Sequence, residues 1–420
     1  MGARPRGACT RRWTVLRALN HCHWPWRLTQ TMILGWLIYA LWCGGCCAWA
    51  ETTLVPLPVV TTDPHERETY GALLALLHKQ DGTLRSLLVP QVTWNALLGA
   101  RGSAYYQHLL TPDETYTVYA SQSTGNQADY TVNYANFALA QQRYRFEGRL
   151  EYSNDRTARF FGLGPKSRKE DETNYTAREA VGLFTLGRRI IPGLVLAVTE
   201  HVRYVAIDQG AVTALPFLGE SFKGLAGEEG GLVWAHRLAL TYDTRDSRAT
   251  PRQGSFGEAV VEGAARTLGS QAAFVRYGLE GRFWWPLFDA RLVTVTRGLW
   301  GWVEGAALPF FELSALGGET TLRGFGEHRF LDRGRLLLNI EERLRTFTFT
   351  YEEIRTQLEL ALFVEAGQVF HTWTELSTKH VQTVSGVGLR LVVTAKLVAK
   401  IDIGFGSEGR AIFTGLDYPF

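Results

Sequence analysis

The chain has 420 residues, 46% hydrophobic and 12% aromatic, with 43 glycines and 44 basic side chains against 41 acidic ones. Six of the basic residues (Arg4, Arg6, Arg11, Arg12, Arg17, Arg27) fall in the first 50 positions. Beyond them 38 of the 44 remain against 41 acidic, which excludes reading the overall pI as a nucleic-acid footprint.

The first 50 residues also lack any acidic side chain and carry an apolar run from Met32 to Trp42, followed by Ala48-Trp49-Ala50. Basic flank, apolar core and small residues at the processing site make residues 1–50 an export signal peptide, with cleavage expected before Glu51. The apolar run is shorter than the roughly 20 residues a membrane helix needs. Cys46 and Cys47 follow glycines, but neither has a leucine three residues upstream, which disfavours a lipoprotein. All five cysteines (Cys9, Cys22, Cys43, Cys46, Cys47) lie in this leader. The processed chain therefore excludes disulfides, thiolate catalysis and zinc-thiolate sites.

Residues 51–66 read as a periplasmic lead-in and 67–420 as a single all-β domain. Val275, Tyr277, Leu279, Phe283 and Trp285 alternate with Arg276, Glu280, Arg282 and Trp284. Leu336, Leu338 and Ile340 oppose Asn339, Glu341 and Arg343, and Leu358, Leu360, Leu362 and Val364 oppose Glu359, Ala361, Phe363 and Glu365. Apolar residues on one face and charged ones on the other, over about ten positions, characterise a transmembrane barrel strand. Strands of a soluble sandwich also alternate. The export signal and the aromatic strand ends favour the membrane, where such residues form interfacial girdles.

The pattern predicts eleven strands between residues 69 and 304 and five between 335 and 420, a 16-stranded antiparallel barrel. With the N-terminus in the periplasm, Ile191-Pro192-Gly193 and the turn at Ala395 fall inside, while 154–173, 207–229 and 305–334 are long external loops. The gap 97–114 breaks this rule, being long on the periplasmic side.

The longest of these loops holds Leu316-Gly317-Gly318-Glu319-Thr320-Thr321-Leu322-Arg323-Gly324-Phe325. Gly317, Gly318 and Gly324 let it fold tightly against another surface. Arg323 can then make a planar, multi-donor contact there. This run resembles the sixth-loop motif of the BamA and TamA outer-membrane barrels, the bacterial surface antigen family. Tyr242-Asp243-Thr244-Arg245-Asp246 with Pro251 and Gly254, Asn339-Ile340-Glu341-Glu342-Arg343, and Phe363-Val364-Glu365-Ala366-Gly367 resemble three further signatures of that family, in the right order.

The resemblance implies that loop 305–334 folds into the lumen and that Arg323 docks on the wall. Its partners there would be Glu365 and Glu341, with the guanidinium covering Phe363; Gly367 is a further wall position on the strand of Phe363 and Glu365. The family usually has aspartate where this chain has Glu365. Leu416, Tyr418 and Phe420 alternate to the end of the sequence and resemble the terminal signal of outer-membrane barrels. Pro419 cannot donate to a ladder and suits a seam. A processed chain of about 370 residues, filled by sixteen strands, leaves no room for periplasmic polypeptide-binding domains, so capture of clients would need a separate periplasmic partner.

Catalytic patterns are lacking: there is no Gly-x-Ser-x-Gly elbow, no His-Glu-x-x-His and no phosphate loop. Glu200 and His201 are adjacent, so on a strand they face opposite sides and cannot act on one atom. No cofactor, metal or nucleic acid is expected. The expected setting is the outer membrane of a Gram-negative-type bacterium, in contact with its lipid. The leading function is assembly or translocation of outer-membrane protein clients; a passive pore and a barrel-embedded enzyme are the alternatives.

Overall fold

The computed structural model describes residues 52–420, apart from 64, 82, 352, 353, 395 and 396. The expected leader 1–50 and the turn at Ala395 lie outside the described residues. Eighteen strands form one closed antiparallel sheet. They are β1 (Thr52–Asp63), β2 (Arg67–Gln80), β3 (Thr83–Asn95), β4 (Gly99–Thr111), β5 (Glu114–Ser123), β6 (Ala128–Ala138), β7 (Tyr144–Phe160), β8 (Thr173–Ile191), β9 (Leu194–Gln209), β10 (Gly230–Asp243), β11 (Gly254–Ala264), β12 (Phe274–Leu287), β13 (Leu292–Glu304), β16 (Gly334–Tyr351), β17 (Ile354–Phe370), β18 (Gln382–Thr394), β19 (Leu397–Gly406) and β20 (Gly409–Leu416). The loop between β13 and β16 carries a small hairpin, β14 (Ser314–Leu316) with β15 (Phe330–Asp332).

Alternation along each strand sorts the side chains. On β17 Leu362 is 53% exposed on the outer wall while its neighbour Phe363 is 2% exposed inside. On β16 Leu338 and Ile340 face out, while Asn339, Glu341 and Arg343 are buried within. The lipid-facing apolar band and polar interior of a membrane barrel follow from this period of two.

The count is eighteen rather than the expected sixteen. The two additional strands are β1, formed from the expected lead-in, and β4, which fills the irregular gap 97–114 and restores the alternation of short turns and long loops. Pro56 and Pro58 hid β1, since proline is unusual inside a ladder. On β4 the inward Arg101, Ser103, Tyr105 and Gln107 alternate with Ala100, Gly102, Ala104 and Tyr106, a pattern with little apolar contrast. The last strand ends at Leu416 instead of running to Phe420, because Asp417 adopts a left-handed φ of 72°. Pro419 therefore lies outside the sheet.

The ring closes through β1, which pairs with β2 and β20. Its register with β20 places Thr62 opposite Ile412, supported by Thr61 Oγ1 donating to the Ile412 carbonyl at 2.8 Å. At the loop end of the barrel, Phe160 of β7 and Tyr175 of β8 share one apolar cluster with Leu218 of the β9–β10 connection and with Phe310 and Leu331 of the β13–β16 loop.

Candidate functional site: an arginine braced inside the barrel

The β13–β16 loop enters the lumen because its apolar residues find a core there. Leu316, Leu322, Phe325 and Phe330 pack with Leu299, Leu337, Phe363, Val369 and Val384 of the wall. Gly317 and Gly318 have φ of 116° and 92°, which turn the chain back on itself. The turn is tied by Thr321 Oγ1, which accepts from Gly317 N at 2.9 Å and donates to Gly317 O at 2.8 Å. Gly324 then lies backbone against backbone on β19, where a Cβ would fall 2.7 Å from Gly406 N.

This geometry delivers Arg323 to the wall with 0% exposure. Its Nε donates to Glu365 Oε1 at 2.7 Å and its backbone N–H to Glu365 Oε2 at 2.7 Å. Nη1 donates to Glu341 Oε2 at 2.7 Å and to Asp402 Oδ2 at 3.3 Å. The guanidinium carbon sits 3.5 Å from the centre of the Phe363 ring. Asn339 Nδ2 bridges loop and wall, donating to Thr321 O at 2.9 Å and Glu365 Oε1 at 3.0 Å. Gly367 lies further along β17, beside Leu316 and Leu337.

The network extends past the residues named from sequence. Arg390 on β18 pairs with Asp402 Oδ1 at 2.7 Å and with Glu341 at 3.4 Å, and Arg343 Nε donates to Glu341 Oε1 at 2.7 Å. Three guanidinium groups thus meet three carboxylates, all nearly or fully buried. Charges this well buried persist only when paired and hydrogen-bonded, and removing one partner leaves the others uncompensated. Asp402 escapes a sequence reading because one more inward charge looks like any lumen charge. Its signal is the inward row Lys400, Asp402, Gly404 and Gly406, whose glycines admit the loop.

The Tyr242–Gly254 turn joins β10 and β11. Asp243 holds Arg245 at 2.8 Å, and Arg245 covers Phe256 and Trp284 at 5.0 and 5.6 Å. Leu416 ends β20, but Tyr418 and Phe420 turn into the lumen rather than continuing one outer face. Phe420 packs with Trp284, Val293 and Val295.

The model of the Omp85 superfamily domain matches residues 113–406. The chain belongs to the Omp85 superfamily. No curated protein sequence matches it. Among solved structures, BamA from Haemophilus ducreyi lacking POTRA domains 1–3 superposes with a TM-score of 0.53 at 12% identity, covering 86% of this chain and 74% of that one. CdiB from Escherichia coli gives 0.46 at 11% identity, covering 89% of this chain and 62% of its own, and CdiB from Acinetobacter baumannii 0.39 at 12%, covering 87% and 59%. Omp85 barrels are outer-membrane proteins of assembly or translocation, not enzymes. On this Omp85 barrel Glu200 and His201 do part company: Glu200 meets His236 on the outer wall at 2.9 Å and His201 meets Glu262 inside at 3.4 Å.

Proposed function

We propose that this Omp85 barrel inserts or passes client polypeptides at the outer membrane, opening between β20 and β1 while the Arg323 loop braces the adjoining wall β16–β19. The observation that carries this reading is the closure of the ring, where the first strand meets the last with no turn to join them. The β19–β20 ladder runs from Ala399↔Leu416 to Gly406↔Gly409, and β16–β17 from Gly334↔Phe370 to Tyr351↔Ile354. Across this closure Thr62 lies opposite Ile412. Once freed, an edge that no turn joins to its neighbour is a template for another strand. A steady pore fits less well, since the lumen is occupied by the loop and by Tyr418–Phe420. Residues 52–420 are taken up by the barrel, so capture of clients falls to residues before them or to a separate periplasmic partner.

The test is a cysteine pair at Thr62 and Ile412, positions directly opposed on neighbouring strands and close enough for a disulfide. No cysteine follows residue 47, so the bond forms without competitors. Oxidation should stop client assembly or translocation, and reductant should restore it. Undiminished client handling by the locked barrel would refute this function.

A further inference from the structure

At the end that carries the short turns, the periplasmic end of an outer-membrane barrel, the lumen holds a cavity of about 720 Å³ bordered by β6–β11 and their turns. That size falls within the roughly 300–1,000 Å³ of ligand sites. Arg145, Arg189, Arg237, Arg245 and Arg248 line it, against the carboxylates of Glu147, Asp243 and Glu258. Two of the carboxylates are taken: Asp243 holds Arg245 at 2.8 Å and Glu258 holds Arg237 at 3.0 Å. Glu147 stands 3.5 Å from Arg145 Nε, which is buried and has no hydrogen-bond partner among the described residues. Arg189 Nη1 donates to the amide oxygen of Gln142 at 3.1 Å, and Arg248 rests on the Phe137 ring with Cζ 3.9 Å from its centre. Neither is in an ion pair among the described residues.

Position separates these arginines from others at the same rim. Along β8, Leu186 is 56% exposed on the outer wall, so Arg188 points out to the level of lipid headgroups while Arg189 borders the lumen. Headgroup phosphates lie against the outer wall and not in the mouth. The three uncompensated guanidinium groups come from β7, β8 and the β10–β11 turn, so one small anion does not meet them all, whereas a chain bearing several carboxylates does. Planar pairing with carboxylates is what guanidinium groups do best, and the Phe137 ring holds that of Arg248 in place for it. At Leu183, Arg237 and Glu258 the cavity meets a second one of about 460 Å³ beneath the loop, which gives an extended segment depth to enter.

We infer that the periplasmic mouth is a receptor site for an acidic peptide segment of a separate periplasmic partner, whose aspartates or glutamates pair with Arg145, Arg189 and Arg248. This rests on the assembly reading above and gives the chemistry of the partner to which client capture falls. The site lies on β6–β11, away from β20 and β1, so its occupant leaves the seam uncovered.

The probe is a dye-labelled oligoglutamate peptide, with oligoglutamine of the same length as its control. Both are titrated into detergent-folded barrel whose folding is verified by gel mobility before and after boiling. Oligoglutamate should bind and oligoglutamine should not. Arg145→Gln/Arg189→Gln/Arg248→Gln should weaken binding at least about tenfold, the scale of one charge-assisted hydrogen bond. Arg143→Gln/Arg188→Gln/Arg291→Gln removes the same charge from rim positions that do not border the cavity, and should keep the parental affinity. Should the first triple variant not fold, Arg248→Gln on its exposed turn replaces it, with a smaller loss of the same sign. No binding by the parent, or an equal loss in the second triple variant, overturns the inference and makes these arginines part of a general cationic rim facing headgroups and solvent. Client insertion is measured separately on the parent in cells. Insertion with no peptide binding sinks this inference alone; peptide binding with no insertion sinks the assembly reading and leaves the site.

Discussion

The inner walls at β16–β19 and at β2–β5 are built from the same alternating strands and are filled in opposite ways. On β16–β19 the inward residues Glu341, Glu365, Arg390 and Asp402 are charged, and all are buried because the loop covers them. On β2–β5 the inward residues include Leu73, Leu87, Val89, Gln91, Thr93, Ser103, Tyr105 and Gln107, which border a cavity of about 650 Å³. One wall is held in a single arrangement by directional, charge-assisted bonds; the other is lined mainly by neutral groups and open space. The β20–β1 seam lies between them, so the opening proposed there would have one braced flank and one flank bordered by open space.

The comparison breaks most completely at Gly404. A side chain there would run into the carbonyl of Arg323, backbone against which nothing can give. Gly404→Val should evict the loop, and protease cleavage near Glu319 would report it. Next comes Arg323→Ala, which takes the cation from buried Glu365 while Glu341 and Asp402 keep Arg343 and Arg390. Loss of one partner from a buried pair costs about 3–5 kcal/mol, with water in the lumen lowering that figure. Arg323→Lys should rescue poorly, since a point charge cannot reproduce two carboxylate contacts and the Phe363 stack. Combining Arg323→Ala with Glu365→Ala should cost less than the two singles together, as groups in contact do. Strict additivity in the chemical unfolding of the folded barrel would show that the brace is not a unit.

Much of this division was legible in the sequence. Dyad alternation located sixteen of the strands, and the loop motif located Arg323 with Glu341, Phe363 and Glu365. What escaped did so for physical reasons. Strand β1 carries Pro56 and Pro58, and β4 sets small residues against small or neutral ones, so neither shows the contrast that alternation needs. Asp402 and Arg390 matter only because the loop arrives over them, a long-range fact that local pattern does not hold. Leu416, Tyr418 and Phe420 kept the spacing of a strand, and Asp417 and Pro419 were the available signs that the strand stops.

A graded effect is expected at His65, in the turn between β1 and β2. It is buried against the loop at Gly326, with Arg159 donating to its carbonyl at 2.9 Å. Burial, and then the charges of Arg159, His328 and Arg329, push its pKa from 6.5 down to about 3. Between those values the released turn takes up a proton that the docked turn refuses, so docking is strongest above pH 6.5 and weakens as pH falls towards 3. Hydrogen exchange of residues 65–66 and 326–329 should rise over that window. A flat profile would place His65 in water.

The smallest effect is the most direct test of the comparison, because it makes the same change on each wall. Asn339→Ala on β16 removes an amide that donates to Thr321 O and Glu365 Oε1, leaving both acceptors short of a donor in a buried site. An expected loss of about 1–3 kcal/mol follows from stranding buried polar groups. Gln91→Ala on β3 removes an amide beside the cavity, where the space left is open to solvent-sized molecules. Its cost should stay within about 0.5 kcal/mol, as for substitutions away from packed features. Denaturant unfolding of the two variants under one set of conditions decides the matter. Equal losses would mean that the β2–β5 wall is held as firmly as the braced one, and the seam would then have no compliant side on which to open.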